Sequence, residues 1–370
     1  MTNVLVVGQT PPPYCGQSIM IENLLRAPDS GVRMFHVPMK FSRRADEMGT
    51  FQAGKVFHLF VVIAKALAAR IRHGCTTLYY PPAGHSRNGI YRDIAILLAI
   101  RPFFKHTAFH FHAGGLSEQL EAFPLWLHRL ALRAYRKPDL SIRLSELNPD
   151  DGNYLGATRD VIIPYGIEDH WAMYSHAAAA RGAAVKQLLC MGLLAESKGV
   201  LMLLEACRLL RARHLDFELT LAGRFGSPDF EVTCRAFIHR HGLQDIVHTP
   251  GVLTGDAKWD AFAKADVFCF PTFYESETFG VVALEAMQSS LPVIATRWRG
   301  VPSLVEDGVT GRLVPTHDSD ALAEAIQEMI ENPQSAAELG RNGRQRYCDS
   351  YMLHHYHSNM TRALQMIGPS

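Results

Sequence analysis

One plan occurs twice in this chain and constrains its fold more than any other feature: an apolar strand, a glycine-bearing loop, then a helix. Asn3-Val4-Leu5-Val6-Val7-Gly8 reads as a buried strand, Gln9 to Ser18 as an irregular loop with three prolines and Gly16, and Ile19 to Leu25 as a helix. Val185 to Gly192, a loop ending in Lys198-Gly199, and the helix Val200 to Leu210 repeat the plan without repeating the sequence. Each copy is the ordinary opening of a parallel α/β sheet, whose first helix start can hold phosphate. With 370 residues there is chain for two such domains, each with its own core.

The net charge of +1 hides an uneven distribution. Residues 1–165 carry 19 Lys and Arg against 12 Asp and Glu, and residues 166–370 carry 18 against 24. A basic first half points to an anionic partner there, a phosphorylated substrate or a membrane surface. The basic residues are scattered and form no nucleic-acid motif, so no nucleic acid is expected. Seven dispersed Cys without a Cys-x-x-Cys pair suggest reduced thiols in the cytoplasm. His-Glu-x-x-His is absent despite 18 His, and no metal and no cofactor is expected. Neither a signal peptide nor a transmembrane span is read from the sequence; the longest apolar region, Val56 to Ile71, is broken by His58, Lys65 and Arg70.

Chemistry concentrates between Pro271 and Met287. The apolar run Ala265 to Phe270 is a strand stopped by Pro271, and Val281 to Met287 opens a buried helix. Glu277 then lies in the loop before the helix and Glu285 about two turns inside it. The amides of Thr278, Phe279, Gly280 and Val281 form an anion site, and Gly280 lets a ligand approach the backbone. Carboxylates beside an anion site suit a ligand with both phosphates and hydroxyls, such as a sugar nucleotide. The plainer alternative is an acidic helix start that complements the macrodipole.

The pattern Glu277, seven residues, Glu285, with Thr-Phe-Gly after the first and Ala-Met after the second, resembles the signature of family 4 retaining glycosyltransferases. That resemblance implies the GT-B fold, two Rossmann-like domains facing a cleft, with a last helix crossing back to the first domain. Residues 1–168 with 351–370 would form an acceptor-binding domain and residues 169–350 a nucleotide-sugar-binding domain. Gly192 to Gly199 resembles the family's Gly-Arg-Leu-x-x-x-Lys-Gly; it keeps Lys198, the expected diphosphate clamp, but has Leu193 in place of Arg. Arg224, at the next strand end, is a candidate for the missing charge. Gly16 matches the second glycine of the family's donor loop, with Cys15 replacing the first. Pro164-Tyr165-Gly166 resembles the family's Pro-Asn-Gly junction, and Gly300 to Ser303 its Gly-Gly-x-Pro-Glu, with Arg299 and Ser303 as departures.

In the first half, alternation places His110 and His112 on one side of a strand ending at Gly114-Gly115. By the resemblance His112 reaches the transferred sugar, while His110 is structural. Val56 to Arg72 has helical spacing, with Phe57, Phe60, Val61, Ala64, Leu67, Ala68 and Ile71 on the apolar face and Lys55, Lys65, Arg70 and Arg72 on or beside the other. This is either an amphipathic core helix or a peripheral-membrane helix.

Taken together, the expectation is a metal-independent retaining hexosyltransferase acting in polysaccharide or glycolipid synthesis. It would move a sugar from a UDP-sugar or GDP-mannose to a saccharide acceptor carried on a lipid diphosphate. The catalytic residues would be Glu277, His112 and Lys198, with Gly16, Arg224, Thr278 to Val281 and Glu285 on the donor. The protein would be cytoplasmic, with weak contact at the inner membrane face. Alternatives are a sugar-nucleotide epimerase of the same fold and a non-catalytic sugar-nucleotide-binding partner protein.

Overall fold

The computed structural model describes residues 2–12, 14–28, 31–41, 53–181 and 185–367. The chain divides into two compact units, Met1–Gly166 with Leu353–Ser370 and Ile167–Met352. Each is built on a six-stranded sheet in which every pairing is parallel.

The strands of the first unit are β1 (Thr2–Gly8), β2 (Val32–Pro38), β3 (Thr77–Tyr80), β4 (His106–His110), β5 (Leu140–Arg143) and β6 (Asp160–Ile162), in the order β2-β1-β3-β4-β5-β6. Between them run α1 (Gly16–Leu25), α2 (Ala53–His73), α3 (Arg87–Ile100), α4 (Leu116–Glu121), α5 (Leu125–Tyr135) and the short α6 (Asp151–Tyr154). The second unit contains β7 (Lys186–Met191), β8 (Phe217–Ala222), β9 (Val247–Gly251), β10 (Val267–Phe270), β11 (Val293–Thr296) and β12 (Gly311–Val314), in the order β12-β11-β10-β7-β8-β9. Its helices are α7 (Trp171–Tyr174), α8 (Val200–Ala212), α9 (Pro228–Arg240), α10 (Gly255–Lys264), α11 (Val281–Gln288), α12 (Val301–Leu304), α13 (Ser319–Glu331) and α14 (Pro333–Ser350). The last helix, α15 (Leu353–Gln365), returns to the first unit, where Tyr356 donates to the carbonyl of Met20 on α1 (3.4 Å). The expected pair of Rossmann-like domains and the returning helix are therefore both present. Of the alanine-rich linker read at residues 172–184, residues 171–180 form α7 and a 3₁₀ turn, and 182–184 lie outside the described residues.

The central strands are continuous apolar runs because helices cover both faces of a parallel sheet. Leu5, Val7, Leu78, Tyr80 and Phe109 meet Ile94, Leu97 and Tyr135 in the first core. Leu188, Cys190, Leu219, Leu221, Cys269 and Ile294 meet Leu203, Leu204, Leu322 and Ile326 in the second. All seven cysteines are free thiols, five of them buried.

A buried carboxylate braces the first unit. Asp93 on α3 is fully buried and accepts from Tyr80 Oη (2.7 Å), the amide of Ala83 (2.6 Å), Arg92 Nη2 (2.7 Å) and Tyr135 Oη (3.2 Å). These bonds fix the Pro81-Pro82-Ala83 turn that leaves β3, and they satisfy a charge that burial alone would make costly.

One sequence expectation is corrected here. On α2 the side chains that enter the core are Val62 and Ala66, flanked by Leu59, Ile63, Leu67 and Ala69. Phe57, Phe60 and Ile71, which the sequence puts on the apolar face and the core-helix alternative would bury, are 74%, 64% and 75% exposed. The helix is apolar on more than one side, and the side with the smaller residues approaches its neighbours more closely. Lys65 and Arg72 are exposed as well; the side chain of Lys55 lies outside the described ones.

Candidate functional site

In the second unit the strand order reverses between β7 and β10, because numbering within the sheet runs 3-2-1-4-5-6. Ligands of doubly wound sheets bind at the carboxyl ends of strands beside such a reversal. The two loops singled out by sequence leave these two strands. Lys198 ends a 3₁₀ turn (Glu196–Lys198) after β7, and Glu277 lies between β10 and α11.

The loops are locked together by backbone contacts. The amide of Phe273 donates to the carbonyl of Ser197 (2.8 Å). Gly199 has φ +74°, and a Cβ there would stand 2.0 Å from the carbonyl oxygen of Pro271, so only glycine allows this approach. Gly280 (φ +87°) caps α11, where a Cβ would meet the Phe270 ring at 2.7 Å. The amides of Ala283 and Leu284 turn back to the Gly280 carbonyl (3.0 and 3.2 Å), while those of Val281 and Val282 lead the helix at its positive dipole end.

Within this frame the Lys198 ammonium donates to Oε2 of Glu277 at 2.6 Å, side chains 23% and 11% exposed. Thr272 Oγ1 donates to the same oxygen (3.2 Å), and the Tyr274 ring lies 4.4 Å from the ammonium. Trp298 Nε1 fixes Tyr274 through its carbonyl (2.8 Å). Thr278 and Phe279 are buried, Phe279 edge-on against Tyr351.

Glu285, on α11, is 8% exposed and accepts from Lys258 of α10 (2.5 Å). Its other oxygen, Oε2, is buried without a hydrogen-bond partner among the described residues. Lys258 also lies 4.8 Å from the Trp259 ring, which stacks on His170. Lys258, Thr272 and Tyr274 were not singled out in the sequence: Lys258 sits 27 residues before its partner on another helix, with no motif around it.

Arg224 is exposed in the loop after β8, and its carbonyl accepts from the amide of Leu194 (2.9 Å). The loops holding Leu193 and Arg224 thus run side by side. Ser303 turns its hydroxyl onto the carbonyl of Gly300 (2.5 Å).

Gly16 and His112 belong to the first unit. Gly16 is the first residue of α1, and Cys15 caps that helix with Ser18 Oγ accepting from its amide (3.0 Å). His112 follows β4, 6% exposed, with Nδ1 at 2.7 Å from Tyr165 Oη and Nε2 at 3.2 Å from Tyr79 Oη. The Tyr79 hydroxyl also lies 2.7 Å from Nδ1 of His110. One hydroxyl donates only once, so one imidazole receives its proton and the other donates to it. Burial lowers the pKa of His112 to about 3 and, with the neighbouring His112, that of His110 well below its ordinary value. Both rings are neutral near pH 7.

Among the described residues no three His, Cys, Asp or Glu side chains are placed to hold a metal ion, and no helix is long and apolar enough to cross a membrane.

Residues 177–346 match the family described as Glycosyl transferases group 1. Within curated proteins, the chain is 36% identical over 159 residues to a D-inositol 3-phosphate glycosyltransferase of Paenarthrobacter aurescens, covering 42% of this chain and 38% of the relative. It is 28% identical over 201 residues to an O-antigen chain mannosyltransferase C of Escherichia coli, covering 53% and 52%. The chain thus spans about two-fifths to half the length of these relatives. Across 99% of both chains it resembles a sucrose-phosphate synthase from Thermosynechococcus elongatus (TM-score 0.77, 19% identity). It also resembles Anabaena HepE solved with UDP (TM-score 0.74, 19% identity, 99% and 100% covered). At such identities the likeness speaks to the fold alone, and the fold is GT-B.

Proposed function

We propose that this protein is a retaining glycosyltransferase that moves a sugar from a nucleotide-sugar donor to a saccharide acceptor. The observation that carries this reading is the Lys198–Glu277 pair beside the start of α11, at the reversal of a sheet within the matched residues 177–346. The arrangement offers a cation and the amides at the start of α11 for a diphosphate, and carboxylates for hydroxyls. The UDP held by the HepE structure and the sugar-transferring names of the relatives support a nucleotide-sugar donor and a saccharide acceptor.

In this reaction the bond between the sugar's anomeric carbon and the diphosphate oxygen breaks, and the acceptor oxygen bonds to that carbon from the same face. The acceptor proton passes to the departing phosphate. Lys198 and the α11 amides stabilise the charge that develops on the diphosphate, an electrostatic role. Glu277 orients the sugar hydroxyls and Glu285 the ribose diol. Arg224 supplies the charge that Leu193 lacks. Gly16 and His112 keep the roles that the resemblance implies. The first unit takes the acceptor, and no metal takes part.

The acceptor is proposed to be lipid-linked, and the protein to bind reversibly to anionic bilayers at the cytoplasmic membrane face. The outward stripe Phe57, Phe60 and Ile71 on α2, with Lys65 and Arg72 exposed on the same helix, has the apolar and basic character of an interfacial helix.

Purified protein incubated with a panel of UDP-sugars and GDP-mannose, with and without lipid-linked saccharides, tests the reading. Acceptor-dependent transfer that conserves the anomeric configuration and persists with a chelator is expected. Turnover of the donor without acceptor, to a sugar epimer, would instead identify an epimerase. Donor binding without turnover would identify a binding protein. Phe57→Ser with Phe60→Ser should abolish cosedimentation with anionic vesicles; unchanged cosedimentation would remove α2 from the membrane.

A further inference from the structure

A groove of about 670 Å³ lies at the opposite end of the first sheet from the strand carboxyl ends. It runs between the end of α3 with the following turn (Arg101–Phe103) and the end of α5 with the segment leading into β5. Besides Arg101, four cationic side chains line it: Lys105, Arg133, Arg136 and Lys137. All four are exposed, and none makes an ion pair or side-chain hydrogen bond among the described residues. The one carboxylate in the lining, Asp139, is already engaged, accepting from the amide of Thr107 (2.8 Å) and lying 3.3 Å from His106 Nδ1.

The floor is rigid. Arg101 lies across it and donates to Thr107 Oγ1 (3.1 Å), the carbonyl of Ala134 (2.8 Å) and the carbonyl of Lys137 (2.9 Å). It thereby ties the end of α5 to β4. Lys137 adopts φ +52°, a conformation that L-residues with side chains seldom take, and its amide donates to the carbonyl of Leu155 (2.7 Å). Burial, opposed by Asp139 and reinforced by the Arg136 charge, lowers the pKa of Arg101.

A helix C-terminus favours a nearby cation, which accounts for one such side chain on each helix. It does not account for four around one cavity. Apolar side chains share the walls, Pro102 and Phe104 on one side and Leu130 on the other. Arg70, near the end of α2, donates to the carbonyl of Phe103 and lies 5.9 Å from the Phe104 ring. The end of α2 is thereby joined to the turn that borders the groove.

We propose that this groove is a phosphate-binding site, separate from the donor site and independent of the transferase reading. A phosphate group meets Arg133, Arg136 and Lys137 on one wall and Lys105 on the other, by charge-assisted hydrogen bonds. Its source is the headgroup of an acidic phospholipid or a soluble phosphate ester.

Arg133→Ser with Arg136→Ser changes only exposed side chains and serves as the test variant. Binding of the full chain is measured to phosphatidylcholine vesicles, to vesicles containing phosphatidylglycerol, and to inorganic pyrophosphate by thermal shift. Each basic residue at an anionic surface is worth about fivefold in affinity, so the variant should bind anionic vesicles about 25-fold more weakly than wild type. A loss on anionic vesicles alone assigns a lipid headgroup, and a loss of the pyrophosphate shift alone assigns a soluble ester; either supports the site. The pyrophosphate shift is also measured in Lys198→Ala, so that a response from the donor site is recognised separately. Vesicle binding and pyrophosphate shift both unchanged in the Arg133, Arg136 variant would overturn the proposal.

Discussion

Glu285 gives one carboxylate oxygen to Lys258 at 2.5 Å and keeps the other buried with no hydrogen-bond partner among the described residues. A buried acceptor without a hydrogen is costly, and a hydroxyl donor from a ligand would relieve it. Glu285→Ala should therefore weaken nucleoside diphosphate binding by roughly tenfold, the worth of one or two hydrogen bonds. Calorimetry with uridine and guanosine diphosphates measures this. Unchanged affinity for both would take Glu285 off the nucleotide and leave Lys258 as its whole purpose.

Lys198 and Glu277 are more closely coupled than the sequence suggests. The ammonium proposed to hold a diphosphate is held here by the carboxylate proposed to orient a sugar. Glu277→Gln should consequently free Lys198, so that nucleoside diphosphate binds several-fold more tightly while turnover falls by roughly 10²-fold or more. Lys198→Ala should lose diphosphate affinity more than monophosphate affinity. If Glu277→Gln weakened the diphosphate, the ion pair would have to be a support for the site rather than a competitor of the ligand.

Asp93 offers a stability test that leaves the donor site alone. Asp93→Leu strands Arg92 and two tyrosine hydroxyls in the core, and breaking such a network by removing one partner costs about 3–5 kcal/mol. Urea denaturation should show that loss, and hydrogen exchange should show the turn after β3 opening first. A loss below about 1 kcal/mol would mean that water reaches the site and satisfies the stranded groups.

Local order was legible in the sequence; partners across the fold were not. The strand, loop and helix openings, Pro271 ending β10 and Gly280 opening α11 all follow from short-range chemistry, so the positions of Lys198, Glu277 and Glu285 on their elements could be read directly. That Lys198 touches Glu277 depends on β7 and β10 being neighbours, a consequence of strand order that no local pattern encodes. Lys258 and Asp93 were missed for the same reason. α2 misled because it is apolar on more than one side, and packing against its neighbours, rather than helical spacing, selects Val62 and Ala66 for the core.

The histidine pair of the first unit gives a prediction in pH. His112 is held neutral in the folded chain, with its pKa lowered by burial to about 3, whereas an unfolded histidine takes a proton near pH 6.5. As pH falls below about 6.5 the unfolded chain binds a proton that the folded chain refuses, so stability is full above that pH and is lost progressively toward pH 3. At pH 5 the loss from His112 alone is about 2 kcal/mol relative to pH 7, and His110, shifted in the same direction, adds to it. His112→Gln removes the titrating group while keeping a side chain that can bond Tyr165 or Tyr79. Urea unfolding at pH 7 and pH 5 should show a smaller pH-dependent loss in this variant than in wild type. An identical loss in the two would mean that the ring takes up its proton in the folded state, and with it the sequestered, neutral His112 would have to be given up.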